Sequence, residues 1–397
     1  MGGYVDYDGG RMSRGSTAGM KLGRGGGILD KLSRLPHGLI ALIVAIAVIG
    51  AAMLYSSTIT NPVEADLPLK HAQRFALAFV VMIVLALTPL QVWLRVAFPA
   101  YIGALVLLVL VELFGTLGGG AQRWLQIGPV AVQPSEFMKL ALTMALARYY
   151  QMYLGHHSGG FWIHVPALFL IAAPAALIFK QPDLGTTLML IASGGVIIFL
   201  AGLFWRIIIA VGVAGIGLVP LAYFFVLEDY QRKRVETLWN PGADSLGAGY
   251  QIEQAKIAVG SGGWDGKGYM QGIQSQLDYI PEQHTDFILT VIAEEFGFLG
   301  AAGLLLAWGV VLGWSLYIAL RCESHFGRFA VAGATATIMF YIAFNVGMVI
   351  GLLPVVGVPM PLVSYGGTAM LTVMACFGLI LSGHLHRSDK LSASGVI

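Results

Sequence analysis

The chain has 397 residues, of which 57% are hydrophobic and only 11% are charged, and its mean hydropathy is +0.77. Soluble proteins carry roughly 25% charged residues, so this composition excludes a soluble enzyme and indicates a polytopic membrane protein. The net charge of +2 gives no reason to expect a nucleic-acid partner. The two cysteines have no spacing that predicts a disulfide framework or a metal site.

The amino-terminal segment is rich in glycine and basic residues and contains no apolar stretch, so it is unlike a cleavable signal peptide. We expect residues 1–36 to form a disordered cytoplasmic tail. The membrane domain is predicted over residues 37–387, and residues 388–397 are predicted to form a second cytoplasmic tail. No segment is suited to fold alone as a soluble domain.

Ten apolar segments are candidates to cross a bilayer, which takes about 20 residues per helix. They are residues 38–56, 74–90, 96–116, 134–151, 163–180, 185–202, 205–226, 286–319, 328–352 and 364–385. An even number of spans puts both termini on one side. Lysine and arginine concentrate on the side of the amino-terminal tail, which predicts cytoplasmic termini. The predicted fold class is all-α, a polytopic membrane protein of about ten helices.

The loop at 227–285 is the largest segment outside the predicted spans, and this topology places it on the outer side. It contains a short amphipathic helix by pattern, because Ile252, Ala255 and Val259 recur at helical spacing. A solvated loop without a helix is the alternative. The span that follows, 286–319, is longer than one straight crossing needs, so we expect it to begin outside the membrane or to tilt.

The end of this loop places Glu282, His284 and Asp286 close together at the membrane boundary. One interpretation is structural: Thr285 or Asp286 caps the helix that starts with Phe287. The other interpretation is functional, with a catalytic carboxylate that faces a lipid-borne substrate.

Ionisable residues within spans cost roughly 2.5–3.5 kcal/mol each on insertion scales and indicate function by default. Glu136 and Lys139 lie three residues apart on one helix face, where they can also form a purely structural ion pair. Asp183 lies in a turn and is predicted to cap the next helix. Arg123, the Glu136 end of its span, Asp183 and Asp286 all fall toward the outer side. This placement predicts an outward-facing polar cavity suited to a phosphate or pyrophosphate group and to proton abstraction from a hydroxyl.

A proline-rich apolar segment at 351–367 cannot form a regular helix. Such a segment within a membrane must be buried in protein or line a cavity. A stiff link between two spans explains the prolines alone. It does not explain Ser364 at a helix entry, or Gly366 and Gly367, which permit close backbone approach or left-handed geometry.

Several of these segments resemble motifs of the SEDS (shape, elongation, division and sporulation) family. They are Gln133–Glu136, Lys180–Thr186, Pro281–Ile288, Ala293–Glu295 and Pro361–Gly367. Three further segments favour the rod-elongation branch of the family over the division branch: Asp229–Arg232, Gly260–Gly263 leading to Gln274–Leu277, and Pro354–Pro359. The resemblance runs from about residue 38 to residue 387.

The resemblance implies a ten-span peptidoglycan glycosyltransferase that polymerises lipid II for lateral wall growth. Its active site would face the periplasm from the bacterial cytoplasmic membrane. The family's essential aspartate falls on Asp286, which we expect to act as the general base, with inversion at the anomeric carbon and undecaprenyl pyrophosphate as leaving group. The family's membrane Glu and Lys fall on Glu136 and Lys139, and the acid of its Gln-Pro-Asp motif falls on Asp183.

Supporting or substrate-binding roles are expected at Arg123, Glu136, Lys139, Asp183, Glu282, His284 and Ser364. A divalent cation, Mg²⁺ or Mn²⁺, held by acids such as Glu136 or Asp183 is a further hypothesis. The expected partners are a class B penicillin-binding protein, other elongation-complex proteins and membrane lipid. The main rival function is a lipid II flippase, and a third is a scaffold that only recruits the transpeptidase.

Overall fold

The computed structural model describes residues 27–118, 121–128, 130–154, 161–225, 227, 229–240, 247–277, 279–280 and 282–391. The described helices are α1 (Ile28–Ser33), α2 (His37–Thr58), α3 (Leu67–Leu87), α4 (Leu90–Phe114), α5 (Pro134–Leu154), α6 (His164–Lys180), α7 (Leu184–Leu200), α8 (Trp205–Phe225), α9 (Asp229–Trp239), α10 (Ala248–Gly262), α11 (Ile273–Gln276), α12 (Ile288–Arg321), α13 (His325–Val349) and α14 (Gly367–Leu385). One turn of 3₁₀ helix at Phe161–Ile163 precedes α6.

Each of the ten predicted spans coincides with one helix, namely α2 to α8 and α12 to α14. Six of these (α2, α3, α4, α12, α13 and α14) are long and apolar enough by themselves to cross a membrane, and α6 and α7 are shorter apolar helices of 17 residues each. Gln91 and Arg95, which fall between the second and third predicted spans, lie inside α4, because the chain turns earlier, at Thr88 and Pro89. Helices α13 and α14 are the most buried of the six.

The predicted tails fall partly within the described residues. Helix α1 occupies Ile28–Ser33 of the predicted amino-terminal tail, whereas residues 1–26 and 392–397 lie outside the described residues.

Arg148 is one of the charged residues in a predicted span, and the structure gives it a structural role. Pro99 lies inside α4 and has no N–H, so the carbonyl of Arg95 lacks its usual helical hydrogen-bond donor. Nη1 of Arg148 donates to the carbonyls of Leu94, at 2.9 Å, and Arg95, at 3.0 Å. A guanidinium from α5 therefore donates hydrogen bonds to backbone carbonyls of α4, which lipid chains could not do.

The overlong predicted span is two helical segments joined at Gly297. This residue has φ 66° and ψ −162°, which is not helical. The loop after α10 hydrogen-bonds to the break, since the amide of Phe298 donates to the carbonyl of Gly263 at 2.9 Å. A Cβ atom at Gly297 would lie 2.4 Å from the carbonyl oxygen of Trp264. Only glycine fits both the backbone conformation and the close approach of the loop.

The segment 227–285, predicted to lie on the outer side, contains α9, α10 and α11. The predicted amphipathic helix is α10, which packs against α12, and it buries Ile252 and Ala255 with Val259 partly buried. Helices α9 and α11 were not predicted. Neither was the antiparallel sheet β1 (Thr116–Gly118), β2 (Ala121–Ile127) and β3 (Val130–Val132), which lies between α4 and α5 in the order β1-β2-β3.

The proline-rich segment between α13 and α14 is non-helical and largely buried, as predicted. Its left-handed positions differ from those expected. Gly351 and Gly357 have φ values of +73° and +72°, whereas Gly366 has φ −157°, which any residue can adopt. Leu362 also has a positive φ, of 60°.

Candidate functional site

Asp286 lies in a tight turn that precedes α12. The backbone amides of Thr285, Asp286 and Phe287 all point to the carbonyl of Glu282, at 3.1–3.3 Å. Nδ2 of Asn345, from α13, donates to the carbonyl of Asp286 at 2.7 Å and to that of Val358 at 2.8 Å. The turn is therefore held both by its own hydrogen bonds and by a buried side chain of the bundle.

The helix-capping interpretation of this turn was wrong. Helix α12 begins at Ile288, and its N-cap residue, Phe287, provides no side-chain cap. The hydroxyl of Thr285 donates instead to the carboxylate of Glu282, at 2.9 Å. The carboxylate of Asp286 is therefore not needed to terminate the helix.

The carboxylate of Asp286 has an unusual electrostatic environment. Its Oδ2 is 3.6 Å from the position that a Cβ of Gly357 would take, so the proline-rich segment covers it closely. Burial raises the pKa of Asp286 to about 7, the nearby carboxylate of Glu282 also raises it, and the guanidinium of Arg234 lowers it. A carboxylate with a pKa near the working pH is suited to act as a general base.

Two arginines share a cleft close to this carboxylate. Arg234, on α9, donates from Nη1 to the carbonyl of Val355 at 2.5 Å. Arg123, on β2, donates from Nε to the carbonyl of Gln181 at 3.2 Å and from Nη2 to that of Pro182. The cleft is lined by Arg123, Pro182, Leu184, Gly185, Gln231, Arg234, Val235, Pro354 and Val356. The first turn of α7, at Leu184 and Gly185, adds the positive end of a helix dipole.

Asp183 caps α7, as its position in the sequence predicted. Its Oδ1 accepts a hydrogen bond from the amide of Thr186 at 3.1 Å, and its Oδ2 accepts one from Nε2 of Gln133 at 3.4 Å. The turn that carries Asp183 is also the turn whose carbonyls bind Arg123. Asp183 therefore holds the wall of the cleft in place.

Glu136 and Lys139 form the ion pair that their spacing predicted. Nζ of Lys139 is 2.7 Å from Oε1 of Glu136 and 2.7 Å from the hydroxyl of Tyr341, which in turn donates to Oε2 of Glu136. The side chains of Lys139 and Glu136 are only 1% and 6% exposed. The two charges are therefore enclosed between α5 and α13 and neutralise each other.

A divalent cation fits these acids poorly. Both oxygens of Glu136 already bind an ammonium or a hydroxyl, and both oxygens of Asp183 accept hydrogen bonds. Among the described residues no three His, Cys, Asp or Glu side chains come together in a way that could hold a metal ion.

The other residues predicted for the site, Glu282, His284 and Ser364, lie in three different environments. Glu282 is exposed beside Asp286, and His284 is buried against the carboxyl-terminal end of α2. Ser364 is buried and accepts a hydrogen bond from the amide of Met360 at 2.8 Å. It therefore shapes the proline-rich segment.

The sequence interpretation missed Arg234, Asn345 and Gly357 as parts of this site. Arg234 lies in a basic run, Arg232–Arg234, shortly after the predicted span 205–226, and this run is the signal in the sequence that could have found it. Asn345 lies in an apolar helix, where a polar side chain needs a partner. Gly357 is one of 52 glycines, so composition alone could not single it out.

Comparison with known proteins identifies the family. The family model for FtsW, RodA and SpoVE, described as a cell cycle protein, matches residues 34–389. The chain belongs to this family. The family is the SEDS family that the motifs predicted, and the match extends from before α2 to beyond α14.

Relatives and solved structures of the family cover most of the chain. The peptidoglycan glycosyltransferase MrdB of Escherichia coli K12 is 42% identical over 361 residues, which is 90% of this chain and 95% of MrdB. A chain from a structure of a peptidoglycan synthase complex superimposes with a TM-score of 0.77 at 31% identity, over 90% of this chain and 99% of that one. The rod-shape-determining protein RodA of Thermus thermophilus gives a TM-score of 0.67 at 28% identity, over 90% and 98%. The chain is a polytopic helical membrane protein of this class.

Proposed function

We propose that this protein is the peptidoglycan glycosyltransferase that polymerises lipid II into glycan strands for lateral wall growth, with Asp286 as its general base. The observation that carries the assignment is the half-buried carboxylate of Asp286, with a pKa of about 7, next to a cleft lined by Arg123 and Arg234. The name of MrdB, whose sequence this chain matches over almost its full length, supports the same activity.

The reaction needs one base and one good leaving group. Asp286 accepts the proton of the 4-hydroxyl of the acceptor lipid II sugar. The oxygen forms a bond to the anomeric carbon of the lipid-linked donor strand, and the bond from that carbon to the pyrophosphate oxygen breaks. Because attack comes from the opposite face, the configuration inverts. General base assistance is typically worth about 10²–10⁴-fold in rate.

The leaving undecaprenyl pyrophosphate carries the electron pair and the negative charge. Arg123 and Arg234 supply positive charge on the same cleft, and planar guanidinium groups suit phosphate oxygens. Lys139 was also expected from the sequence to have a supporting or substrate-binding role. Its ammonium is enclosed by Glu136 and Tyr341, so the arginines are better placed for this role.

The orientation in the membrane follows from charge placement. The amino-terminal tail and the basic ends on its side favour cytoplasmic termini. With that orientation, the turn of Asp286, the sheet β1–β3 and helices α9 to α11 face the periplasm of the cytoplasmic membrane. Lipid II displayed on the outer leaflet would then reach the site without passing through the bundle.

The partner proposed for this protein is a class B penicillin-binding protein, acting with other proteins of the elongation complex. The support is the structural similarity to a chain of a peptidoglycan synthase complex. The partner would cross-link the strands that this protein polymerises.

A lipid II flippase is the alternative to be tested directly. Purified protein in proteoliposomes, with a partner whose active-site serine is blocked, would receive labelled lipid II. A polymerase forms glycan strands sensitive to a muramidase from lipid II supplied in the leaflet that its site faces. A protein that moves lipid II across the bilayer without forming strands would overturn the proposal.

A further inference from the structure

A second cluster of titratable and polar side chains lies on the other side of the turn that carries Asp286. His284 connects this turn to Ser57, at the outer end of α2, and to Glu64, in the loop between α2 and α3. Ser57 Oγ is 3.0 Å from Nδ1 of His284, and a carboxylate oxygen of Glu64 is in close contact with Nε2. Ser57 and His284 are 227 positions apart in the chain, so the contact joins two distant segments.

We propose that His284 is a positioning residue, and that Glu64 and Ser57 clamp its ring so that the adjacent turn presents Asp286 correctly to the acceptor hydroxyl. The inference rests on the proposed function, because polymerisation is its readout. It adds Glu64 and Ser57 to the residues that determine the rate.

The first step of the argument is the tautomer of His284. An ionised carboxylate only accepts hydrogen bonds, so Nε2 must carry the proton that faces Glu64. The hydroxyl of Ser57 is adaptable, since it can donate to Nδ1 or turn to the carbonyl of Leu54, which is 3.1 Å away. Both contacts of the ring therefore persist whether Nδ1 is protonated or not. Glu64 fixes both the tautomer and the orientation of the ring, as acids do for histidines at other sites.

The second step concerns how the ring acts on the turn. The side chain of His284 is 9% exposed, and its carbonyl accepts a hydrogen bond from the amide of Tyr365 at 2.8 Å. The ring is thus held by α2 and the Glu64 loop, while the backbone is held by the segment before α14. Asn345 supplies a third attachment, at the carbonyl of Asp286. Removal of one attachment frees the turn on the side of α2.

The third step is that Glu64 and Ser57 act on the position of Asp286 and not on its charge. The charged groups that influence the pKa of Asp286 are Glu282 and Arg234. The groups facing His284 are Glu64 from the loop and Ser57 from α2, with Glu282 on its own turn and Arg74 stacked on the ring of Tyr365. Loss of Glu64 should therefore lower the maximal rate while the acid limb of the pH profile stays where it is.

The test is the steady-state rate of lipid II polymerisation by the full-length protein with its inactivated transpeptidase partner. Glu64→Ala should lower kcat by roughly 10²-fold with little change in KM, because a misplacement of about 1 Å is enough to cost that much. Glu64→Gln keeps an acceptor oxygen for Nε2–H and should retain most of the activity. Asp66→Ala is the matched control, since Asp66 lies in the same loop and its carboxylate pairs with Lys70 at the surface.

Ser57→Ala provides a second test that preserves the helix, because alanine is a good helix former. It should lower kcat in the same direction and should not add to Glu64→Ala in the double variant, since both act through one ring. Equal kcat for wild type, Glu64→Ala and Ser57→Ala would refute the clamp while leaving the polymerase assignment intact. Absence of strands from the wild type would instead refute the proposed function. A displaced acid limb in Glu64→Ala would refute action by geometry.

Discussion

The pH dependence of polymerisation follows from the raised pKa of Asp286. A general base works only when deprotonated, so the rate should rise with pH through the pKa of about 7. With that value, the ionised fraction is roughly 9% at pH 6 and roughly 91% at pH 8, so the rate should increase about tenfold between them. The assay is the initial rate of strand formation from labelled lipid II well below saturation, where the pH profile reports the pKa of the free enzyme, with the transpeptidase partner inactivated.

Two neighbours of Asp286 should shift the acid limb of this pH profile in opposite directions. Glu282→Gln removes a like charge that raises the pKa of Asp286, so the limb should move to lower pH. Arg234→Gln removes a cation that lowers this pKa, so its limb should move to higher pH, with a lower plateau from the lost charge in the cleft. Asp265→Asn changes an exposed acid elsewhere on the outer segment and should leave the limb unchanged. A rate independent of pH from 6 to 8, or shifts of the same sign in both variants, would refute the reasoning.

Three further predictions concern groups around the site. Lys139→Met should destabilise the protein by roughly 3–5 kcal/mol because it leaves the buried Glu136 unpaired, and adding Glu136→Gln should restore much of the loss. The measurement is the thermal unfolding midpoint in detergent, and a midpoint unchanged by Lys139→Met would contradict this prediction. Gly297→Ala should lower the same midpoint, because it adds about 1–3 kcal/mol of backbone strain to the folded state. Gly309→Ala, which has open space around the new methyl group, should leave the midpoint unchanged, and equal midpoints for the two variants would disprove the kink. Asn345→Leu should reduce kcat more than it changes KM, since it releases the carbonyl of Asp286, and an unaltered kcat would argue against that attachment.

The sequence predicted well those features that depend on residues a few positions apart. The pairing of Glu136 with Lys139 follows from their spacing of three on a helix, and Asp183 caps α7 through an amide three residues ahead. Helix α10 was predicted from its apolar period. The length of the span after Asp286 predicted a helix that begins outside the membrane or tilts, and the break at Gly297 was not predicted.

Features that depend on distant segments could not be predicted in this way. Arg234 is the clearest case, because its nearness to Asp286 depends on how α9 lies over the bundle. The contact of His284 with Ser57 likewise joins α2 to the far end of the outer segment. The capping interpretation failed for a local reason, since the hydroxyl of Thr285 is engaged by Glu282 and the helix starts after Phe287.

The central claim is that Asp286 removes the proton of the attacking hydroxyl. The most direct measurement is single-turnover polymerisation of labelled lipid II by Asp286→Ala and Asp286→Asn beside the wild type, each purified with the inactivated transpeptidase. The account predicts strands from the wild type and a loss of roughly 10²–10⁴-fold in both variants, with unfolding midpoints and partner binding retained. A rate in Asp286→Asn equal to that of the wild type would contradict it.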